Sequence, residues 1–327
     1  MKKRVLNGMR ATGKLHLGNY LGSAKGMTAL QETSDHECLY CVVDLHAMTT
    51  PYDKVLLQHT TRSVIIDYLA CGIDPDKSAL FVQSHVTQHA EFAFFCAMMS
   101  TVARCSHLPT YKEKVKQYPQ HVTMAMLNYP MLMTSDILLY KATDVPVGLD
   151  QEPHMEIARE VARRFNADYG MDFPEPQRFI TKGQYIPSLT GEGKMSKSVE
   201  GSYIALTDDL DTIRKKIRSV PTATVAGGEM SPSVKTLFVL LELLAQNECA
   251  QFKKAYDDQT LKFVELKDAL SDAIYKELKP IQTKRHEIES NIPYVDKVIK
   301  EGAEKARDIA SKTVREVKEK MGLLLLR

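Results

Sequence analysis

The sequence predicts an α/β protein, a parallel sheet wrapped by helices, followed by a smaller all-helical domain. Three observations carry this. Short apolar runs alternate with amphipathic stretches through the first 170 residues, the mark of strands and helices taken in turn. After Pro174 the texture changes, and from Ser233 onward nearly every stretch reads helical. The 327 residues exceed one ordinary domain of roughly 150 residues and point to two.

Strands are expected over residues 4–7, 37–43, 79–83 and 145–148. A helix over 19–33 carries Leu21, Ala24 and Leu30 at helical spacing; one over 54–71 carries Val64, Ile65, Tyr68 and Leu69 and stops at Gly72. Residues 131–140 form an apolar helix, and 155–165 puts Ile157, Val161 and Phe165 on one face. Gly191 and Gly193 mark a flexible turn, the segment Thr207-Asp208-Asp209-Leu210 caps a helix, and Gly227-Gly228 is a loop. Pro293 stands where a first helical turn tolerates proline. The final helix, 294–321, keeps Val295, Val298, Ala306, Ile309, Thr313, Val317 and Met321 at spacings of three and four.

With 44% hydrophobic and 26% charged residues the chain can bury a core, which excludes disordered and fibrous classes. No run approaches the ~18 apolar residues of a bilayer span. The start, Met1-Lys2-Lys3-Arg4, lacks the apolar stretch of a signal peptide, so a cytoplasmic protein is expected. Six scattered cysteines make a disulfide framework improbable. Cys38 and Cys41 have metal-like spacing but lie in an apolar run with no second pair, so both are read as core residues. The run Arg214-Lys215-Lys216-Ile217-Arg218 is either a solvated helix face or a polyanion contact.

Two segments carry chemistry. The first strand runs into a turn with Gly8, Thr12, Gly13, His16, Gly18 and Asn19, where backbone N–H groups and a helix start are free to meet phosphate. It matches neither the dinucleotide nor the P-loop fingerprint, and by spacing alone a structural glycine turn stays open beside a nucleotide site. The second is Lys194-Met195-Ser196-Lys197-Ser198, where an apolar Met195 between two lysines would pack while both ammonium groups meet one anion.

That pentapeptide, with His16-Leu17-Gly18-Asn19, resembles the signature pair of class I aminoacyl-tRNA synthetases. Residues 40–47, 71–75, 82–85, 129–140 and 145–151 extend the resemblance over essentially the whole chain, to the bacterial tryptophanyl-tRNA synthetases. The resemblance implies a Rossmann-like nucleotide-binding catalytic domain over 1–190, with the last helix able to pack back on it. A signature loop and connector would follow over 191–205, then a helical tRNA anticodon-binding region over 206–327. It implies activation of L-tryptophan with ATP to tryptophanyl-adenylate and diphosphate, then transfer to tRNA(Trp) with release of AMP. Mg2+ would come with ATP, held by phosphate oxygens and water, with no metal ligand from the protein. Neither zinc nor an iron-sulfur cluster is expected: relatives with a cluster use four C-terminal cysteines, and only Cys249 lies beyond residue 200 here. A homodimer is implied; a membrane or DNA partner is not.

Residue by residue, the resemblance gives ATP binding to Arg10, Ala11, Thr12, His16, Gly18, Asn19, Gly148, Leu149, Asp150, Ile186, Lys194, Met195, Ser196, Lys197 and Ser198. Lys114, Lys194, Lys197 and Ser198 would act on the phosphates. Tryptophan would meet Asp136, Tyr129, Met133, His46, Val145, Val147 and Gln151. Asp136 lies in an otherwise apolar helix, where a lone carboxylate is costly to bury unless paired with a donor such as an indole N–H; an exposed helical aspartate is the alternative. His46 by itself also fits a satisfied core histidine. Arg10 stands where the family usually has Gln, Ala11 where Pro is common, Leu149 where Glu is usual and Leu6 where Phe is frequent. The competing readings are a tyrosyl-tRNA synthetase, a tRNA-binding paralogue without catalysis, and a small-molecule nucleotidyltransferase, which should lack the helical region after Ser233.

Overall fold

A computed structural model describes residues 2–11, 13, 15–179, 185–197, 199–222 and 226–325. Five parallel strands form one sheet in the order β3-β2-β1-β4-β5: β1 (Lys3–Arg10), β2 (His36–Val43), β3 (Ser78–Val82), β4 (Asp144–Val145) and β5 (Gln177–Arg178). β1 pairs with β2 from Lys3 opposite His36 to Arg10 opposite Val43. Both faces of the sheet are covered, so β2 from Cys38 to Val43 and all of β3 are buried without alternation, as buried parallel strands must be. Cys38, Tyr40 and Val42 enter the core on one face, and Leu39, Cys41 and Val43 that on the other. Cys38 and Cys41 therefore point to opposite sides of the sheet, which accounts physically for their role as packing residues.

Two expected strand bounds move. β4 ends at Val145 rather than running to 148, because Pro146 has no N–H to continue the ladder. β5 was not expected, and its two residues are too few to show a period.

On the first face lie α1 (Leu17–Asn19), a π-helical turn (Tyr20–Ala24), α2 (Lys25–Gln31) and α4 (Lys54–Ala70). A short α3 (Asp44–Ala47) follows β2. The first helix begins two residues before its expected start because His16, an unusual cap, closes its first turn. The other face carries α5 (Gln88–Met98), α6 (Val102–Ser106), α7 (Pro109–Gln117), α8 (Met124–Leu138) and α9 (Glu152–Tyr169). α8 starts well before residue 131: Thr123 caps it by accepting from Met126 N, and Pro130 sits inside the helix. The helical region comprises α10 (Leu210–Arg218), α11 (Pro232–Leu244), α12 (Gln246–Asp257), α13 (Phe263–Glu289) and α14 (Ile292–Lys320). Asp209 within the expected capping segment caps α10, accepting from Thr212 N, and Pro293 lies in the first turn of α14.

The core of the first face continues from Val5 and Tyr40 into Leu237, Leu270 and Ile274 of the helical region. The basic run on α10 is mostly neutralised within the chain: Arg214, Lys216 and Arg218 pair with Asp272, Asp208 and Asp268. α14 returns across the second face, where Ala303, Ala306, Ala310, Val314 and Val317 enter the sheet core. Its cations tie it down, Lys305 donating to Pro75 O, Arg307 to His85 O, and Lys318 pairing with Glu91.

α14 comes close to the β3 backbone at Gly302, where an added Cβ would lie 2.0 Å from the Leu80 carbonyl oxygen. Backbone on both sides leaves nothing flexible to yield. Gly302→Ala is expected to destabilise the fold by about 3 kcal/mol, read by urea or thermal unfolding. Unchanged stability would mean that the helix does not rest on β3.

Candidate active site

The sheet order reverses between β1 and β4, and the crevice outside the carboxyl ends of strands at such a reversal is where open α/β sheets bind ligands. Two cavities meet there. The larger, about 620 Å³, is lined by Gly8, Arg10, Gly13, His16, Gly18 and Asn19 after β1, by Gly148, Asp150 and Gln151 after β4, and by Lys194, Ser196 and Lys197. The smaller, about 260 Å³, is lined by Leu6, His46, Lys114, Tyr129, Met133, Asp136, Val145, Val147, Gln151 and His154. Gly8, Arg10, Val147 and Gln151 belong to both.

The turn after β1 is built by His16 and Asn19 acting on each other. His16 Nδ1 accepts from Asn19 N at 3.3 Å while Asn19 Oδ1 accepts from His16 N at 3.1 Å. Gly18 fits tightly beside them: a Cβ there would sit 3.0 Å from the His16 ring and 3.1 Å from Met195 Cβ. Burial, then Lys197 and Lys194, hold the His16 pKa down at about 4. The ring is therefore neutral near pH 7, and with Nδ1 accepting, its proton is on Nε2, which makes it a hydrogen-bond donor.

The lysine loop is pinned by its apolar residue. Met195 is buried, and its N–H donates to Ile186 O at 3.0 Å while Lys194 bridges to Pro187. Lys194 and Lys197, on either side, both line the larger cavity. Burial lowers the Lys197 pKa, and Asp67 works the other way. A Cβ on Gly13 would lie 3.8 Å from Lys197 Nζ, so this ammonium closes over the turn after β1.

Asp136 is buried in the smaller cavity, but the chain itself supplies its donors. Gln83 Nε2 donates to Oδ1 at 2.6 Å, His89 Nδ1 lies 2.6 Å from Oδ1 and His46 Nε2 lies 2.9 Å from Oδ2. Burial pushes the carboxyl up, yet the hydrogen bonds from His46 and His89 outweigh it and hold the pKa at about 2. The donors a buried carboxylate needs thus come from the chain itself, and the exposed-aspartate alternative is excluded. His89 Nε2 lies 2.7 Å from the Tyr140 hydroxyl, extending the chain of bonds. At the other end of the cavity, Tyr129 Oη is 2.5 Å from His154 Nε2, and Lys114 Nζ stands 4.4 Å over the Tyr129 ring. Burial and then Arg10 bring Lys114 down to about 8.

All seven residues expected around the amino acid line the smaller cavity. Lys114, expected at the phosphates, lines this cavity too. Ala11, Ile186 and Met195 are buried behind the larger cavity rather than lining it, and Leu149 is 71% exposed outside it. Thr12 and Ser198 lie outside the described residues. Sequence reasoning missed Gln83, His89 and Tyr140 around Asp136, and Thr110 and His154 beside Tyr129. The available signal was the buried acid itself, which demands donors without saying from where.

Burial, then Lys114, also holds His154 at about 4. In the unfolded chain both His16 and His154 take up protons near 6.5, so between 6.5 and 4 the unfolded state binds more protons. Their contribution to stability is complete above 6.5 and is lost as pH falls towards 4. The melting temperature should already fall between pH 6.5 and 5, and His16→Asn with His154→Gln should flatten that slope. An unaltered slope in the double variant would count against two buried neutral rings.

A largely apolar pocket with one buried carboxylate, opening onto a lysine-lined cleft at the carboxyl ends of a parallel sheet, suits the class I aminoacyl-tRNA synthetases. The model of the family described as tRNA synthetases class I (W and Y) matches residues 1–279. A tryptophan–tRNA ligase of Caldanaerobacter subterraneus subsp. tengcongensis is 40% identical, over 99% of this chain and 99% of the relative. The tryptophanyl-tRNA synthetase structure from Mycoplasma pneumoniae is similar with a TM-score of 0.87 and 30% identity, covering 99% of both chains. That from Campylobacter jejuni, complexed with ADP and tryptophan, gives 0.86 and 28%, covering 98% of this chain and 100% of that one. The chain belongs to this class I family, among its tryptophan–tRNA ligases. Its reaction is accordingly the ATP-dependent joining of L-tryptophan to tRNA(Trp) through an adenylate.

Proposed function

We propose that the smaller cavity holds tryptophan, the larger ATP, and that Arg10 and Gln151 stand where they meet. The observation that carries this is the shared wall, Gly8, Arg10, Val147 and Gln151, through which a carboxylate in one cavity reaches a phosphate in the other. The ADP and tryptophan bound by the Campylobacter jejuni relative support the assignment. A carboxylate oxygen of tryptophan attacks the α-phosphorus; the bond to the bridging oxygen breaks and diphosphate leaves. The terminal ribose hydroxyl of the tRNA then attacks the activated carbonyl, losing its proton as AMP leaves. Lys194, Lys197 and the Nε2–H of His16 neutralise phosphate charge, and Arg10 adds a permanent charge at the junction. Little covalent work falls to the protein, so positioning does most of it.

The cleft fits a magnesium ion carried by ATP. Among the described residues Asp150 is its single lining carboxylate, and no group of three or more His, Cys, Asp or Glu could hold a metal ion. Bound with the nucleotide, Mg2+ would add charge neutralisation at the phosphates, with Asp150 the side chain suited to its water shell. We also assign residues 1–190 as catalytic domain, 191–205 as loop and connector and 206–327 as the anticodon-binding region, in a cytoplasmic homodimer with one tRNA contacting both subunits. Exposed Phe94 and Met98, one turn apart on α5, and exposed Val102 on α6 supply an apolar surface for the second copy. No described helix is long and apolar enough to cross a membrane.

The test is amino-acid-dependent ATP–pyrophosphate exchange across all twenty amino acids. Exchange with tryptophan above all others is expected; exchange driven by tyrosine, or by none, overturns the reading. A monomeric mass in sedimentation overturns the dimer.

A further inference from the structure

The turn that presents His16 is held from the helical region, by a single helix. Asp67 on α4 is 1% exposed, and its Oδ2 accepts from Leu15 N at 2.8 Å, one residue before His16. Its Oδ1 accepts from Arg285 Nε at 2.7 Å, and Arg285, on α13, is itself buried and donates further to Ser63 and Glu289. The other side of the same residue is held from the same helix. Leu15 O accepts from Leu206 N at 3.1 Å, Leu17 N donates to Ile204 O at 2.8 Å, and His16 bridges to Ala205. The 204–208 segment is in turn fixed by Gln282 Nε2, which donates to Leu206 O at 2.9 Å and Asp208 O at 2.8 Å. One further turn back, Glu277 accepts from Tyr20 Oη at 2.7 Å and from Lys25 Nζ at 2.8 Å, just beyond Asn19.

We propose that α13 is a strut for the nucleotide site, and that Asp67 and Arg285 are positioning residues for adenylate formation, fixing Leu15 and hence the place of His16. An apolar pair of similar volume would serve stability as well as a buried ion pair does, because desolvation offsets most of the Coulombic gain. What the charged pair adds is direction: one guanidinium N–H, on a group oriented by Ser63 and Glu289, fixes one carboxylate oxygen, and the other oxygen fixes one backbone N–H. The helix that carries Arg285 and Gln282 belongs to the helical region, so a shift of that region is transmitted to both backbone groups of Leu15. The proposal rests on the larger cavity being the ATP site. It concerns ATP turnover rather than tryptophan binding, since neither Leu15 nor His16 lines the smaller cavity.

The experiment compares wild type, Arg285→Lys, Arg285→Gln, the neutral pair Asp67→Asn with Arg285→Gln, and Gln282→Leu, each well below its melting temperature. Two readouts are taken: kcat and ATP KM from pyrophosphate exchange, and tryptophan Kd from the ligand's own fluorescence, which is open to measurement because the chain contains no tryptophan. In Arg285→Gln and the neutral pair kcat should fall tenfold or more, or ATP KM rise as much, with tryptophan Kd within twofold of wild type. Arg285→Lys should restore most of the loss, and Gln282→Leu, which leaves the ion pair intact, should lose about threefold. Folded variants with kcat and ATP KM near wild type overturn the strut, as does a tryptophan Kd that weakens in step with kcat. Should the ion-pair variants not fold, Gln282→Leu decides by the same readouts. Absence of exchange in wild type would instead overturn the functional reading itself, while tryptophan binding without ATP would remain measurable.

Discussion

Lys197→Ala is expected to slow pyrophosphate exchange by about 10²-fold or more while leaving tryptophan binding nearly unchanged. Met195, two residues before Lys197, is buried in the core against Gly18 and fixes the start of the loop that carries this lysine. Its Nζ lies near Gly13, in the cleft where the departing phosphates would gather charge, and it is half-buried, where a charge–charge interaction is screened less than in water. Burial depresses its pKa, and Asp67 partly opposes that fall. Lys194 lines the same cleft but is exposed, so Lys194→Ala should cost less. Normal turnover with weakened tryptophan binding in Lys197→Ala would place the loop at the amino-acid pocket instead.

The fold was legible where a period is long enough to read. β2, α4 and α14 show buried runs or helical spacing over eight or more residues, and their expected positions agree within one or two residues with those found. Two-residue strands carry no period: β4 is set by pairing with β1 and β5 by pairing with β4, rather than by their own residues. The two signature segments marked the nucleotide cleft because their side chains are local to one turn and one loop. The surroundings of Asp136 were not legible for the opposite reason. Its donors come from α3 just after β2, the turn after β3 and the start of α5, sites 90, 53 and 47 residues away in sequence. The basic run on α10 misleads in the same way: its charge is plain in sequence, but the acids that neutralise it lie mostly on α13.

Asp136→Asn should reduce the specificity constant for tryptophan by about 10- to 100-fold and narrow its margin over phenylalanine by a similar factor, with pyrophosphate exchange as the assay. Three protein donors already hold the carboxylate, and that sets the size of the effect. A polar site left wholly unpaired rejects a ligand lacking the right group by roughly 10⁴ or more. Here an indole N–H would add one hydrogen bond to a charged acceptor, about 1.5–3 kcal/mol, which is roughly one to two powers of ten. Oδ1 is taken by Gln83 and His89, so the indole N–H must share Oδ2 with His46. The apolar walls Leu6, Met133, Val145 and Val147 supply the rest of the fit to a flat bicyclic ring, and they reject a smaller ring only through lost contacts. Asparagine also turns one acceptor into a donor facing Gln83 or a histidine, so thermal unfolding must show the variant folded before its kinetics are read. His89→Gln offers a control, disturbing the support of Oδ1 while Oδ2 keeps His46; it should lose less tryptophan selectivity than Asp136→Asn. An unchanged specificity constant and margin in folded Asp136→Asn would remove Asp136 as the indole acceptor, and selectivity would then rest on the shape of the apolar walls alone.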